Sequence, residues 1–253
     1  MNSNSWKAIF DKYETEKHNF EKEPFIINAE QIKRATAHFT KTNEKEVRIL
    51  CKQDSREDRP QVFIDNNLFL LPIKNGEYVI VKGEGYIDIP QIKTSATIYT
   101  SKLDFQLDTS LIGNSEMQHL DFAYASSLIR TFMEDDTLVL TIRGRKYTPK
   151  FTFKVGQQTI TAESVQTEVD AGYEGKNQVV LIEAKNAHTS NTIIRQLFYP
   201  FRQWQQYTRK QVKTLFFEKR DNYYSLWQYE FTDVNDYNSI KLTKSQQYEI
   251  VQK

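Results

Sequence analysis

Val165-Gln-Thr-Glu-Val-Asp-Ala-Gly-Tyr-Glu-Gly-Lys-Asn-Gln-Val-Val-Leu-Ile-Glu-Ala-Lys185 is the stretch of this 253-residue chain that most constrains its fold. Residues 179–182, Val-Val-Leu-Ile, form an unbroken apolar run and predict a strand covered on both faces. Glu183 and Lys185 follow at i and i+2, so both side chains leave the same face of that strand. Two charges at the end of a buried strand are costly unless they have partners or a task. Upstream, residues 164–174 read as a second strand, with Lys176-Asn177 as the turn between the two. In that hairpin Asp170 stands opposite Glu183 and Glu168 opposite Lys185, and opposed residues share a face. The other face carries Val169, Ala171 and Tyr173 against Ala184, Ile182 and Val180. A slip of one residue would mix charged and apolar side chains on both faces. The sequence therefore predicts a register that gathers three carboxylates and one lysine.

Working outward, a helix is expected over 115–133, with Leu120, Ala123, Leu128 and Phe132 in its buried stripe. Strands follow over 138–143 and 150–155, before the hairpin. After it come a helix over about 191–211, which Pro200 should kink or split, and strands over 213–218 and 223–231. This order predicts an α/β (α+β) core: a mixed central sheet flanked by helices. Nearer the N-terminus, helices are expected over 5–20 and from Asn28, a capping residue. Strands are expected over 47–51, 61–64, 68–71 and 78–81. A boundary near 100–112 divides the chain into an N-terminal α+β region, 1–105, and the core, 106–253.

Charge is nearly balanced, 34 Lys and Arg against 33 Asp and Glu, so no bulk positive field marks a polyanion-coating protein. A single cysteine, Cys51, excludes an intrachain disulfide and a Cys-based zinc cluster, and fits a reducing compartment. Residues 1–6 lack the apolar stretch of a signal peptide, and the longest apolar run, 68–73, is too short for a bilayer. The expectation is a cytoplasmic protein with no membrane partner. The histidines at 18, 38, 119 and 188 have no metal-ligand spacing, and none begins a His-x-Lys pair, which argues against HNH-type and phospholipase-D-type chemistry. No phosphate-cradling Gly-rich loop is present, so no nucleotide cofactor is expected.

The predicted cluster suits phosphodiester hydrolysis. Asp170 and Glu183 offer hard oxygen ligands for Mg²⁺, for which Mn²⁺ can substitute, and the Ala184 carbonyl is a further candidate ligand. Lys185 is placed to stabilise charge that grows on the phosphate or the attacking water. Here the chain resembles the PD-(D/E)xK nuclease superfamily, and within it type II restriction endonucleases. The resemblance rests on Asp170, then Val-Val-Leu-Ile-Glu183-Ala-Lys185, then a long helix, and covers about residues 115–220. Val169 stands where the motif's proline is usual. The decoy Glu174-Gly-Lys176 lacks a preceding apolar strand and sits in the turn. The resemblance implies that Asp170 and Glu183 hold the metal and that Lys185 is the catalytic lysine. It also implies a supporting residue at Gln196 and, in some members, an extra metal-binding acid on the preceding helix, here Glu116. Without the resemblance, Gln196 reads as part of an amphipathic helix and Glu116 as a residue at a helix N-terminus.

The expected function is sequence-specific cleavage of double-stranded DNA, with a homodimer as the simplest way to cut both strands. A structure-specific repair or recombination nuclease and a decayed DNA-binding module are the alternatives. Arg143, Arg145, Lys146 and Lys150 are a possible phosphate patch. Arg56, Arg59, Asn66 and Asn67 are of types that read base edges.

Overall fold

A computed structural model describes residues 3–252. Helix α1 (Ser3–Lys12) buries Trp6, Ile9 and Phe10 at helical spacing. Strand β1 (Phe25–Asn28) ends on the capping residue: Asn28 Oδ1 accepts the Gln31 N–H at 2.9 Å, and Gln31 Oε1 accepts the Asn28 N–H at 2.9 Å. This reciprocal capping box starts α2 (Ala29–Thr36). Then come α3 (Thr42–Lys45), α4 (Val47–Leu50), α5 (Gln61–Asp65), β2 (Leu68–Lys74) and β3 (Glu77–Lys82). The three strands form a sheet in the order β1-β3-β2. It closes over a core that includes Trp6, Phe10, Phe63, Leu70 and Ile80.

Two of the four strands expected here are helices instead. Around residues 47–51, Val47 and Leu50 are buried while Arg48 and Ile49 are exposed, a helical spacing rather than strand alternation. Around 61–64, Pro60 is the extended residue that starts the helix, its carbonyl accepting the Phe63 and Ile64 N–H groups at 2.9 and 3.2 Å. Both segments are rich in Val and Ile, and packing against α1 and α2 overrides that β preference.

The rest of the chain runs through β4 (Tyr86–Asp88), β5 (Thr97–Thr100), α6 (Glu116–Ala125), α7 (Leu128–Met133), β6 (Val139–Tyr147), β7 (Phe151–Val155) and β8 (Gln158–Ala162). It continues through β9 (Gln166–Glu174), β10 (Gln178–Lys185), β11 (Asn191–Ile193), α8 (Arg195–Gln205), β12 (Gln211–Arg220), β13 (Tyr223–Phe231) and β14 (Ile240–Val251). Seven strands make one mixed sheet in the order β5-β14-β13-β12-β10-β9-β6. The β10–β12 and β14–β5 pairs are parallel and the others antiparallel. Strand β10 lies inside the sheet, between β12 and β9, covered on both faces. Val179 and Leu181 pack with Phe198 of α8 and Phe216 of β12. Val180, Ile182 and Ala184 pack with Leu120 of α6 and Phe132 of α7. The fold is α+β, a mixed central sheet flanked by helices.

The helix expected over 115–133 is two, because Ser127 takes φ 69° and breaks the run. The helix expected over 191–211 begins as β11, which pairs with β4, and only then becomes α8. It continues through Pro200 rather than splitting there. Strands β1, β4, β5, β8 and β14 are not among those expected. Much of β14 is polar, so its apolar pattern is weak, and it is held by nine paired positions along β13. Among the described residues no helix is long and apolar enough to cross a membrane.

Candidate active site

The β9–β10 hairpin has the expected register: Val180 faces Tyr173 and Ile182 faces Ala171. The ladder stops there, one pair short of Asp170 and Glu183. Beyond it the Ala184 N–H donates to the Asp170 carboxylate at 2.7 Å, in place of a backbone carbonyl. A side-chain acid thus sits in the gap where β9 and β10 part, while β10 remains paired with β12 as far as Lys185 and Glu218. The parting corrects two expectations. Val169 belongs to the α8-side core, opposite to Ala171 and Tyr173, so β9 does not keep one alternation through Asp170. Glu168 is paired with Arg145 of β6, not Lys185, and its carboxylate accepts from Arg145 Nε at 3.2 Å.

Glu183 and Lys185 leave β10 together, as spacing requires, and Lys185 Nζ lies 2.6 Å from Glu183 Oε1. Burial pushes the Glu183 carboxyl up to about 7, and the Asp170 charge adds to this against the pull of Lys185. Asp170 is also raised by burial, with the Ala184 N–H and Lys185 opposing and Glu116 and Glu168 adding. For Lys185, burial disfavours the ammonium, yet the Glu183 carboxylate outweighs it and the lysine is raised. Buried Glu183 and half-buried Asp170 thus have one ammonium close by, that of Lys185, with Arg195 adding a smaller pull on Glu183.

These groups line a cleft of about 550 Å³. Glu116, the first residue of α6, reaches the same cleft, as do Glu168 and Gln196. Gln196 is held by Thr192, whose hydroxyl donates to Gln196 Oε1 at 2.5 Å. Asp170, Glu183, Lys185, Glu168, Gln196 and Glu116 are thus brought together, with Glu168 tied to Arg145. The Ala184 carbonyl shares the orientation of its N–H, since both groups of a strand residue point to the same neighbouring strand. Among the described residues, no group of three or more His, Cys, Asp or Glu side chains is close enough to hold a metal ion. What the site offers a hard cation is the Asp170–Glu183 pair, both raised by burial, with a backbone carbonyl beside them. This donor set fits Mg²⁺ or Mn²⁺, which need only one or two carboxylates and complete their shell with water.

Other residues singled out by type are engaged elsewhere. Arg143 is paired with Asp121, its Nη2 at 2.5 Å from Oδ1. Arg56 is bonded to Asp88 and lies 3.5 Å from Glu84. Arg59 donates to the carbonyls of Arg56 and Leu68 and lies over the Tyr86 ring. Asn66 donates to the Val62 carbonyl at 2.8 Å, and Asn67 turns the chain at φ 51°. His188 sits in the loop after β10, 3.9 Å from Glu218. The second wall of the cleft was missed: Arg48, Lys52, Gln53, Asp54 and Tyr78 of the N-terminal region, with Arg195 of α8. No local motif marks these residues. They reach the site because the segment after α4 is pinned to the core. The Ile193 N–H donates to the Asp54 carbonyl at 2.8 Å, and the Tyr86 hydroxyl donates to the Gln53 carbonyl at 3.2 Å.

No curated protein and no solved structure matches the chain. Residues 3–80 match a family model described as Domain of unknown function (DUF6996), so that match ends within β3. The second match spans residues 81–249, which include the strands of the central sheet from β5 onward and the cleft acids Glu116, Glu168, Asp170 and Glu183; by it the chain belongs to the family described as Domain of unknown function (DUF6997).

Proposed function

We propose that the chain is a Mg²⁺-dependent DNA endonuclease of the PD-(D/E)xK kind, acting as a sequence-specific restriction enzyme on double-stranded DNA. The observation that carries this reading is the Asp170 carboxylate bonded to the Ala184 N–H where the ladder ends, beside Glu183 and Lys185. A purely structural ion pair would need neither the second acid nor the interrupted ladder. Both acids are raised by burial, so a divalent cation between them would relieve a cost that Lys185 and the weaker pull of Arg195 leave in place.

Asp170 and Glu183 would hold the ion, with the Ala184 carbonyl beside them and Glu116 as an additional acid at the same cleft. Bound there, Mg²⁺ or Mn²⁺ would polarise a phosphoryl oxygen and lower the pKa of a water. Lys185 keeps its proton next to Glu183 and stabilises the negative charge that grows on the phosphate. Thr192 fixes the Gln196 side chain at the cleft wall through its Oε1, leaving the amide N–H groups to orient substrate or water. Cutting both strands of a duplex with one such site per chain calls for two copies, hence a homodimer.

The test is digestion of supercoiled plasmids of known sequence. Discrete, reproducible fragments with Mg²⁺, and none with EDTA or with Asp170→Ala or Lys185→Ala, are expected. Cleavage that follows DNA structure instead of sequence would move the reading to a repair or recombination nuclease. DNA binding with no cleavage in any condition would leave a decayed module.

A further inference from the structure

The cleft has two unlike walls. One is the acidic edge of β9 and β10. The other comes from the N-terminal region, where Arg48 and Lys52 lie one helical turn apart on α4 and the residues after it. Among the described residues Arg48 makes no ion pair or hydrogen bond, and it is exposed. Lys52 is exposed as well, and its ion pair to Asp54 is 3.8 Å long. Next to them Gln53 is 3% exposed, and among the described residues neither its amide nitrogen nor its amide oxygen has a hydrogen-bond partner. A buried carboxamide with both ends unmatched is uncommon and points to a missing partner.

The space also continues past the acids. A second depression of about 580 Å³ shares Lys52, Asp54, Lys185 and Gln196 with the cleft. The two lie on either side of Lys52 and Lys185, so together they form a groove between the N-terminal region and the core. A groove of this form suits a polymer strand passing Lys185 better than it suits a small molecule enclosed at one end.

We infer that Arg48, Lys52 and Gln53 form a nucleotide subsite on the far wall of this groove. Arg48 and Lys52 hold the phosphates flanking the scissile one, and Gln53 hydrogen-bonds the nucleotide between them. The subsite rests on the nuclease reading for the position of the scissile phosphate. It adds that the N-terminal region grips the strand being cut, through contacts that the catalytic motif does not contain.

The experiment measures binding of a labelled DNA duplex to the full chain in Ca²⁺ over a range of salt concentrations, with Mg²⁺-dependent plasmid cleavage measured separately. Arg48→Gln/Lys52→Gln should reduce the slope of log affinity against log salt by about 2, at about 1 per phosphate contact. A fourfold rise in salt then weakens the variant about 10-fold less than the parent chain. Arg48→Lys/Lys52→Arg should keep the slope. Gln53→Leu should weaken binding about 5- to 10-fold at every salt concentration with the slope unchanged. A slope that is the same in Arg48→Gln/Lys52→Gln as in the parent, with melting temperature unchanged, overturns the subsite. If the parent still cuts in that case, the nuclease reading stands without it. A slope that falls in a chain that cuts nothing keeps the phosphate contacts of Arg48 and Lys52 but removes the nuclease, and with it their place beside a scissile phosphate. No binding by the parent chain removes both.

Discussion

Glu183→Gln should make the metal-free protein more stable above neutral pH while removing its response to Mg²⁺. In the folded chain burial raises the Glu183 carboxyl from 4.5 to about 7. The folded state therefore holds its proton more tightly than the unfolded state does. The stability this contributes is complete below the unfolded value and is lost as pH rises through the folded one. Over that window the loss is about 3 kcal/mol, at about 1.4 kcal/mol per tenfold. Glutamine reproduces the protonated acid, including a Lys185 that has no charged partner at 2.6 Å. At pH 8 the variant should then be more stable by about 3 kcal/mol, a rise in melting temperature of roughly 6–12 °C for a chain of this size. Near pH 4.5 the two proteins should melt together. The quantity to follow is the difference between them, because other groups titrate in both. His119 is lowered by burial and Lys219, and Glu57 is lowered chiefly by Asn191. With Mg²⁺ at pH 8 the parent should gain stability by mass action and the variant should gain much less. Thermal melts from pH 4.5 to 8.5, with EDTA and with Mg²⁺, measure all of this. A variant no more stable than the parent at pH 8 would refute the claim that Glu183 is a carboxylate held in the fold at a cost.

Asp170 can be separated into its two tasks. Asp170→Asn keeps an oxygen to accept the Ala184 N–H, so it should fold normally and lose at least about 100-fold in cleavage rate, whereas Asp170→Ala should also lose about 1–3 kcal/mol by leaving that N–H unpaired; melts and plasmid assays read the two effects. Lys185→Met leaves Glu183 without its cation, so it should abolish cleavage and lower the melting temperature at pH 8 but not at pH 4.5. Gly172 tests the sheet itself. A Cβ there would stand 2.6 Å from Ile142 Cβ across the β6–β9 pair, so Gly172→Ala should cost about 1–3 kcal/mol in denaturant unfolding, and a neutral result would contradict the placement of β6 against β9.

The core of the fold and of the site was legible where burial and register act through the sequence directly. A four-residue apolar run marked β10, and period-two parity placed Asp170 near Glu183, because a shifted hairpin would have put charges in the α6–α7 core. The parity rule failed at Val169 and Glu168 because it assumes that the two strands remain paired. They part at Asp170, and a side chain can replace a ladder acceptor without leaving any mark in hydrophobic spacing. The short helices α4 and α5 were misread for a related reason. Four or five residues carry too few turns to show a helical period, and their Val and Ile content favours the wrong answer until α1 and α2 are in place.

The second wall of the cleft was hidden for a different reason, and this bears on how function should be sought in such chains. Arg56, Arg59, Asn66 and Asn67 drew attention as residue types that read DNA, yet the arginines are occupied by Asp88, Glu84 and backbone carbonyls, and the asparagines shape a turn. Arg48 and Gln53, which no motif marks, have side chains without hydrogen-bond partners among the described residues, and both line the cleft that contains Glu183. A cation or amide that the fold already uses has little left to offer a ligand, because binding would first have to break what holds it. Residue type alone could not distinguish these two groups. Their hydrogen-bond accounts do, which is why Arg48, Lys52 and Gln53, rather than residues 56–67, are where substitutions should change DNA binding without lowering the melting temperature.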